Sequence, residues 1–530
     1  MTISDSQGFV LYNYPMTASS GIRLAELMAS LSIATDLGMG QPLEFAMQAC
    51  IVAMRLGDKL GLTEDELRAV YYQSLLRYIG CNAETRLIAA VFGDELALRK
   101  DIIHADTTSA EFLRQSIRAL HNVNAGESPL QLLQSIASGL MTAARFSNEF
   151  FAGHCEVAER LAQRLGFEEN IVASIKQVYA RWDGKGIPVL KGEAIAPSML
   201  VVSLAQDAVY ACHLDGIDSA INMVKQRKRK MYAPKHVEIF CKHANELLKE
   251  DALYATWQTV LALEPGKQQI LNETEFDSAC EAIADYTDIK SPYFLGHSSG
   301  VARIVESAAR KAGLTEAGIG EVRRAALLHD IGRVGVSAGI WGKPSPLTES
   351  DWEKIRLHPY HTERVLARSE KLAALGKIAS MHHERLDGNG YHRGATSTML
   401  TQAMRILAAA DVYHALLEVR PHRPALEPAE ASEILLTEAQ TGRLDRDAVH
   451  NVLSAMGHVV SSRQQISGGL SERELDVLRL IARGQSIKEM AENLTIAPKT
   501  VDSHIQHIYN KIGVNTRAGA TLYAMENKLL

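Results

Sequence analysis

Ala325-Ala326-Leu327-Leu328-His329-Asp330-Ile331-Gly332 sets an imidazole and a carboxylate at the end of an apolar run, directly before a glycine. The frame occurs twice, because Leu75-Leu76-Arg77-Tyr78-Ile79-Gly80 stands 252 residues earlier without either polar group. Gly313-Leu314-Thr315-Glu316 is matched at the same offset by Gly61-Leu62-Thr63-Glu64. Downstream, His358 with Glu363-Arg364 echoes His154 with Glu159-Arg160, and Arg385-Leu386-Asp387-Gly388-Asn389-Gly390 echoes Arg181-Trp182-Asp183-Gly184-Lys185-Gly186, both at an offset of 204. The chain reads as a tandem duplication whose first copy carries about 48 extra residues between Cys81 and His154, enough for additional helices.

Apolar residues recur at helical spacing, as in Leu24, Leu27, Met28 and Leu31, and alternating strand patterns are nearly absent. Thr63 with Glu66, and Ser471 with Glu474, are helix-start signals. The predicted fold is all-α. Two helical bundles in tandem, 17–250 and 251–460, follow a flexible stretch over 1–16. A polar, glycine-rich linker over 461–469 then leads to a four-helix unit over 470–530.

A length of 530 residues suits about three such units. Hydrophobic residues at 46% and charged residues at 22% exclude disordered and low-complexity classes. A net charge of -6 gives no global basic field, so any contact with nucleic acid must be local. Met1 to Pro15 lacks the basic residues of a secretory leader, and no run of 18 apolar residues exists, so a cytoplasmic location without membrane contact is expected. Six scattered cysteines without a Cys-x-x-Cys pair point to free thiols.

Of 19 histidines, eleven lie between His297 and His458. Where the second copy has His297, His329, Asp330, His382 and His383, the first has Phe45, Arg77, Tyr78, Val178 and Tyr179. The scaffold therefore does not need these groups, and the first copy reads as one that has lost its site. Together with His358 and Asp411 they form a set of imidazoles and carboxylates without thiolates, which suits Fe, Mn, Ni or Zn in a reactive centre. Such a set exceeds one ion's need and suits two, with Asp330 able to bridge through its two oxygens. A metal pair activates water and clamps both oxygens of an in-line phosphoryl displacement.

Four ordered motifs, His329-Asp330-Ile331-Gly332-Arg333, His358-Pro359, His382-His383-Glu384-Arg385-Leu386-Asp387-Gly388-Asn389-Gly390-Tyr391 and Ala410-Asp411-Val412-Tyr413, resemble the HD-GYP division of the HD-domain phosphohydrolases. The resemblance spans about 275–460, with a degraded echo over 17–250. It implies a helical bundle that hydrolyses cyclic dinucleotides such as cyclic di-GMP. The implied metal ligands are His297, His329, Asp330, His358, His382, His383 and Asp411. Asp330 and Arg333 are the implied catalytic pair, with Arg333 in place of the family's Lys as a bidentate phosphate grip. Gly388, Gly390 and Tyr391 would shape the substrate-side wall. Tyr293 stands where three-metal members carry Glu, which implies two ions, Fe or Mn. His392 replaces the Pro of Gly-Tyr-Pro, and His414 replaces the second Asp of Asp-x-Tyr-Asp.

In the last unit, Pro498 opens a helix that buries Val501, Ile505, Ile508 and Ile512 and leaves Lys499, Thr500, Ser503, His504, His507 and Lys511 on the other face. Basic groups and short donors on one helix face suit phosphates and base edges in a major groove. The ordered set from Leu470-Ser471 through Lys488-Glu489-Met490-Ala491 and Lys499-Thr500-Val501 to Lys511-Ile512-Gly513-Val514 resembles the LuxR-type helix-turn-helix. The resemblance implies DNA reading by the helix from Pro498, phosphate support from Lys488 and Lys499, and a homodimer on paired half-sites. The run Lys225 to Lys230 reads as a solvated helix end. The whole is a DNA-binding transcription regulator with a metal-dependent phosphohydrolase or sensor region. Its rivals are a cyclic di-GMP phosphodiesterase with an accessory DNA module and a non-catalytic metal or nucleotide sensor.

Overall fold

Helices make up nearly all the regular structure of the computed structural model, which describes residues 21–83, 93–102, 153–249, 257–458 and 470–526 apart from 515, with scattered positions between 84 and 152. The stretches expected to be flexible over 1–16 and to link over 461–469 lie outside the described residues. Among the described residues the one sheet is a two-residue antiparallel ribbon. It pairs Ile22–Arg23 with Ile270–Leu271 and so ties the start of the first copy to the start of the second.

The duplication is visible down to single hydrogen bonds. Helices Phe45–Leu60 and Glu64–Leu76 of the first copy correspond to His297–Lys311 and Glu316–Leu328 of the second. The leading helix of each pair starts after a residue in the left-handed region, Glu44 at φ 71° or Gly296 at φ 77°. Asp36 accepts from the Ala46 amide at 3.2 Å, and Asp288 from the Ser298 amide at 2.9 Å. Thr63 and Thr315 then cap the following helices. A Cβ on Gly80 or Gly332 would collide with the carbonyl of His154 or His358, so in both copies this turn lies pressed against the next segment.

Both copies lie within one compact unit, Met1–Gly457, and His458–Leu530 forms the other. Helix Leu24–Gly38, buried along almost its whole length, packs on Glu64–Leu76 of its own copy and on the Ile331–Gly335 turn of the second. Asn82 donates to the Tyr286 carbonyl at 2.7 Å across the same seam. Of the extra stretch expected between Cys81 and His154, helix Glu95–Ile102 is described.

The run from Lys225 to Lys230 is not a solvated helix end throughout. Arg227 turns inward, donating to the His104 carbonyl at 2.8 Å and lying 3.4 Å from the buried Asp207, while Lys225, Arg229 and Lys230 stay exposed. A buried carboxylate needs a compensating charge, and that need outweighs the hydration of one arginine in the run. All six cysteines are unpaired, and five are buried.

In the second unit, helices Glu472–Ala482, Ile487–Leu494, Pro498–Ile512 and Arg517–Glu526 close around Val477, Leu478, Met490, Val501 and Ile508. Ser471 with Glu474 and Ser486 with Glu489 form capping boxes on the first two. Among the described residues no helix is long and apolar enough to cross a membrane.

Candidate metal centre

Three helices and two turns of the second copy converge on one buried point. His297 and His358 are the first residues of their helices, His329 and Asp330 form the turn after Glu316–Leu328, His382 and His383 follow Glu370–Ala379, and Asp411 lies in Gln402–Leu416. Six of these side chains are buried and His383 is partly so. All seven expected ligands are brought together.

Their orientation is fixed from behind. The Nδ1 atoms of His329, His358 and His382 lie 2.6, 2.6 and 2.7 Å from the carbonyls of Ala326, Ile355 and Ala379, three residues earlier in each case. A carbonyl only accepts, so each Nδ1 carries the hydrogen and, in the neutral ring, each Nε2 presents a lone pair inward. Those lone pairs face Asp330. Its Oδ2 lies 2.9 Å from His329 Nε2 and 3.5 Å from His297 Nε2, and its Oδ1 lies 3.3 Å from His358 Nε2 and 3.4 Å from His382 Nε2. Asp411 spans the same groups, with Oδ1 3.2 Å from His297 Nε2 and Oδ2 3.7 Å from His383 Nδ1.

Acceptors therefore face acceptors. His358 Nε2 and His382 Nε2 are 3.0 Å apart with both hydrogens on the far nitrogens, and of the fully buried Asp330 oxygens Oδ1 has no hydrogen-bond partner while Oδ2 has the Arg333 guanidinium at 2.7 Å. Buried polar atoms are otherwise nearly always satisfied. Three groups of donor atoms, His297/His329/Asp330, His358/His382/His383 and His297/His414/Glu418, each gather within 4.8 Å among the described residues. The donor set fits divalent cations, with the carbonyl-held Nδ1 atoms as the supports that commonly orient metal-bound histidines.

The electrostatics point the same way. Burial pushes His358 down to about 4 and also lowers His382 and His383, so these rings are neutral ligands at ordinary pH. Burial opposes a charge on His329, but Asp330 and then Asp411 overcome it and push the ring up to about 10. Burial likewise opposes charge on Asp330 and Asp411, yet Arg333 and His329 around the first and His297 and His329 around the second hold both carboxyls well below their usual range. The site draws positive charge, and a metal ion competes with the His329 proton for it.

Glu418 was not marked by the sequence reading. Its Oε2 lies 2.8 Å from His297 Nδ1 and accepts from Arg420 at 2.7 Å. Glu418 lies just past the end of helix Gln402–Leu416, seven residues after Asp411, and a carboxylate that close to the Asp411 motif is the signal that could have found it. His414 also sits behind His297, with the two Nδ1 atoms 3.3 Å apart.

A cavity of about 630 Å³ opens onto Asp411, His358 and His383 and is walled by Phe294, Trp341, Trp352 and Tyr391. Arg333 lines it too. Its guanidinium lies 4.3 Å from the Phe294 ring centre and 5.5 Å from that of Trp341, with Nη1 2.7 Å from Asp330 Oδ2. His422 is part of this wall as well. Of the loop expected there, Tyr391 lines the cavity, while Gly388 and Gly390 are not among its lining residues. A Cβ on Gly388 would meet Thr396 at 3.4 Å, and one on Gly390 would meet the Glu384 backbone at 2.5 Å.

In the C-terminal unit Lys488, Lys499, Thr500, Ser503, His507 and Lys511 are exposed and His504 is half-buried, while Val501, Ile505 and Ile508 face the core. Lys511 is the exception to a free face, since it donates to Glu474 at 2.7 Å.

The HD domain family model matches residues 281–448, and that of the bacterial regulatory proteins of the luxR family matches 469–524. Over 425 residues the chain is 30% identical to 3'3'-cGAMP-specific phosphodiesterase 3 of Vibrio cholerae, an alignment covering 79% of this chain and 91% of the relative. It is 28% identical over 254 residues to the cyclic di-GMP phosphodiesterase response regulator RpfG of Xanthomonas campestris, covering 47% of this chain and 64% of that one. It is also similar to the crystal structure of a cyclic GMP-AMP-specific phosphodiesterase of V. cholerae, with a TM-score of 0.57 and 28% identity over 84% of this chain and all of the other. The chain belongs to the HD-domain phosphohydrolases of the HD-GYP division, joined here to a LuxR-type DNA-binding domain. HD-domain phosphodiesterases are metal-dependent.

Proposed function

We propose that the protein is a DNA-binding transcription regulator whose second copy holds two divalent ions, Fe or Mn, and hydrolyses a cyclic dinucleotide of the cyclic di-GMP or 3'3'-cGAMP class. The observation that carries this reading is the buried Asp330 carboxylate, each oxygen of which faces two imidazole nitrogens. His297 and His329 would hold one ion, His358, His382 and His383 the other, with Asp330 and Asp411 shared. Bound there, the metal pair supplies Lewis acidity and hydroxide at neutral pH.

The protein's own groups do the rest. Arg333, braced by Asp330 and two aromatic rings, presents its remaining donors to a phosphate oxygen. Trp341, Trp352 and Tyr391 offer flat apolar faces for purines and keep bulk water from the phosphodiester. In the C-terminal unit Lys499, Thr500, Ser503, His504 and His507 meet DNA with phosphate support from Lys488, and two chains pair on adjacent half-sites. Lys511 contributes least, being held by Glu474.

Protein reconstituted anaerobically with Fe or Mn should bind two ions and convert cyclic di-GMP or 3'3'-cGAMP to a linear product. Failure of both substrates with two ions bound would defeat the hydrolase reading. A non-catalytic sensor is the second reading, favoured by His414 at the back of His297. It requires nucleotide binding without turnover and a DNA affinity that changes with nucleotide.

A further inference from the structure

Lys290 is fully buried in the loop leading to His297. Its ammonium donates to the Val334 carbonyl at 2.8 Å and to Glu95 Oε1 at 3.1 Å. Glu95, equally buried, belongs to the extra stretch of the first copy. Its carboxylate also accepts from the Ser337 hydroxyl at 2.6 Å and from the Ala338 amide at 2.9 Å. Three donors of the second copy thus close on one carboxylate of the first, around the segment that runs from Arg333 to Trp341. The same first-copy turn presses on this segment again, since a Cβ on Gly339 would lie 2.6 Å from the Gly93 carbonyl. At one end of the segment is the Arg333 guanidinium. At the other is Trp341, packed over it and, with ring centres 5.8 Å apart, against His358.

A buried ion pair is a weak way to hold two surfaces together, because apolar side chains of similar volume would do so without desolvating charge. What it adds is direction: three donors with fixed geometry admit one placement of the segment. From this we propose that Glu95 is a positioning residue, which sets Arg333 and Trp341 at the spacing that grips a phosphate beside a stacked base. The first copy, without metal ligands of its own at most matched positions, thereby completes the substrate-binding wall of the second. The proposal rests on the cyclic-dinucleotide reading of that site.

The test compares full-length, Mn-loaded wild type, Glu95→Ala and Glu95→Gln with cyclic di-GMP and 3'3'-cGAMP. Glu95→Ala should raise KM about tenfold, with kcat within about twofold and two ions still bound. Glu95→Gln, which keeps an acceptor for Ser337 and Ala338, should recover most of the loss. Backbone hydrogen exchange over 336–341 should rise in Glu95→Ala while that of 316–328 stays fixed. Unchanged KM in Glu95→Ala, or a loss of metal and kcat with faster exchange across both copies, would overturn the proposal. If wild type turns over neither nucleotide, the hydrolase reading fails, and the exchange measurement alone then decides, with no change over 336–341 overturning it. If Glu95→Ala does not fold, Glu95→Leu with Lys290→Met removes both charges at similar volume and must show the same KM rise.

Discussion

At the position of Asp411 the first copy keeps Asp207, and at that of His358 it keeps His154, so two of the ligand positions persist in the copy that lost the others. Their surroundings differ from those of the second copy. Asp207 accepts from the Tyr232 hydroxyl at 2.5 Å, lies 3.0 Å from His104 Nδ1 and 3.4 Å from Arg227, and faces the buried Arg77 that stands where the second copy has His329. Burial raises its carboxyl, but His104 and Arg77 outweigh burial and hold it down at about 2. His154 has both ring nitrogens engaged, Nε2 with the Ala83 carbonyl at 3.1 Å and Nδ1 with the Tyr179 hydroxyl at 3.3 Å. Asp330 has one chain cation, Arg333 at 2.7 Å from Oδ2, and its other neighbours are imidazole nitrogens. A buried carboxylate in this fold needs a cation. The first copy takes it wholly from the chain, whereas the second sets beside Arg333 a group of imidazole donors that an ion can use.

The widest gap between the copies should be in metal content. His329→Ala with Asp330→Ala should remove the bound ions and lower turnover at least ~1,000-fold. Arg77→Ala with Tyr78→Ala should leave the metal count, measured by elemental analysis, unchanged. A loss of metal in the latter would break the contrast.

Next in size is stability. Arg77→Met leaves Asp207 short of a compensating charge and should cost about 3 kcal/mol in urea unfolding. The pH dependence should then divide the copies by sign. Burial pushes His154 down to about 3, below the ~6.5 of an unfolded histidine, so its contribution is complete above pH ~6.5 and is lost as pH falls towards 3. In chelated protein His329 does the opposite. Its folded value of about 10 gives stability that is complete below ~6.5 and lost as pH rises through 10. His154→Gln should flatten the acid limb of the thermal midpoint against pH, and His329→Gln the alkaline limb.

The smallest expected effect tests what the copies share. Thr63→Ala and Thr315→Ala should each cost about 1 kcal/mol. The first should cost slightly more, because Glu66 returns a bond to the Thr63 amide and Gly318, at the matching place, has no side chain to do so.

Much of this was legible in sequence because duplication acts as an internal control. Positions that change between copies, such as His329 against Arg77, are separated from those that the fold requires, such as Gly332 and Gly80. Local signals carried the helix caps and the apolar spacing. What sequence did not reveal are charges paired over long separations. Glu95 and Lys290 are 195 residues apart, and Arg227 reads as one of several basic residues until Asp207 is placed beside it.

The ribbon between Ile22–Arg23 and Ile270–Leu271 also sets a timetable. Its two strands are separated by about 250 residues, and Arg23 and Tyr72 wait on the same region, both reaching Glu264 at 2.6 Å. At synthesis rates of roughly 5–20 residues per second, the amino-terminal strand exists for about 10–50 s before its partner leaves the ribosome. The first copy must therefore spend that interval with an open edge and an unclosed seam, and its last contacts form only as the second copy begins to emerge.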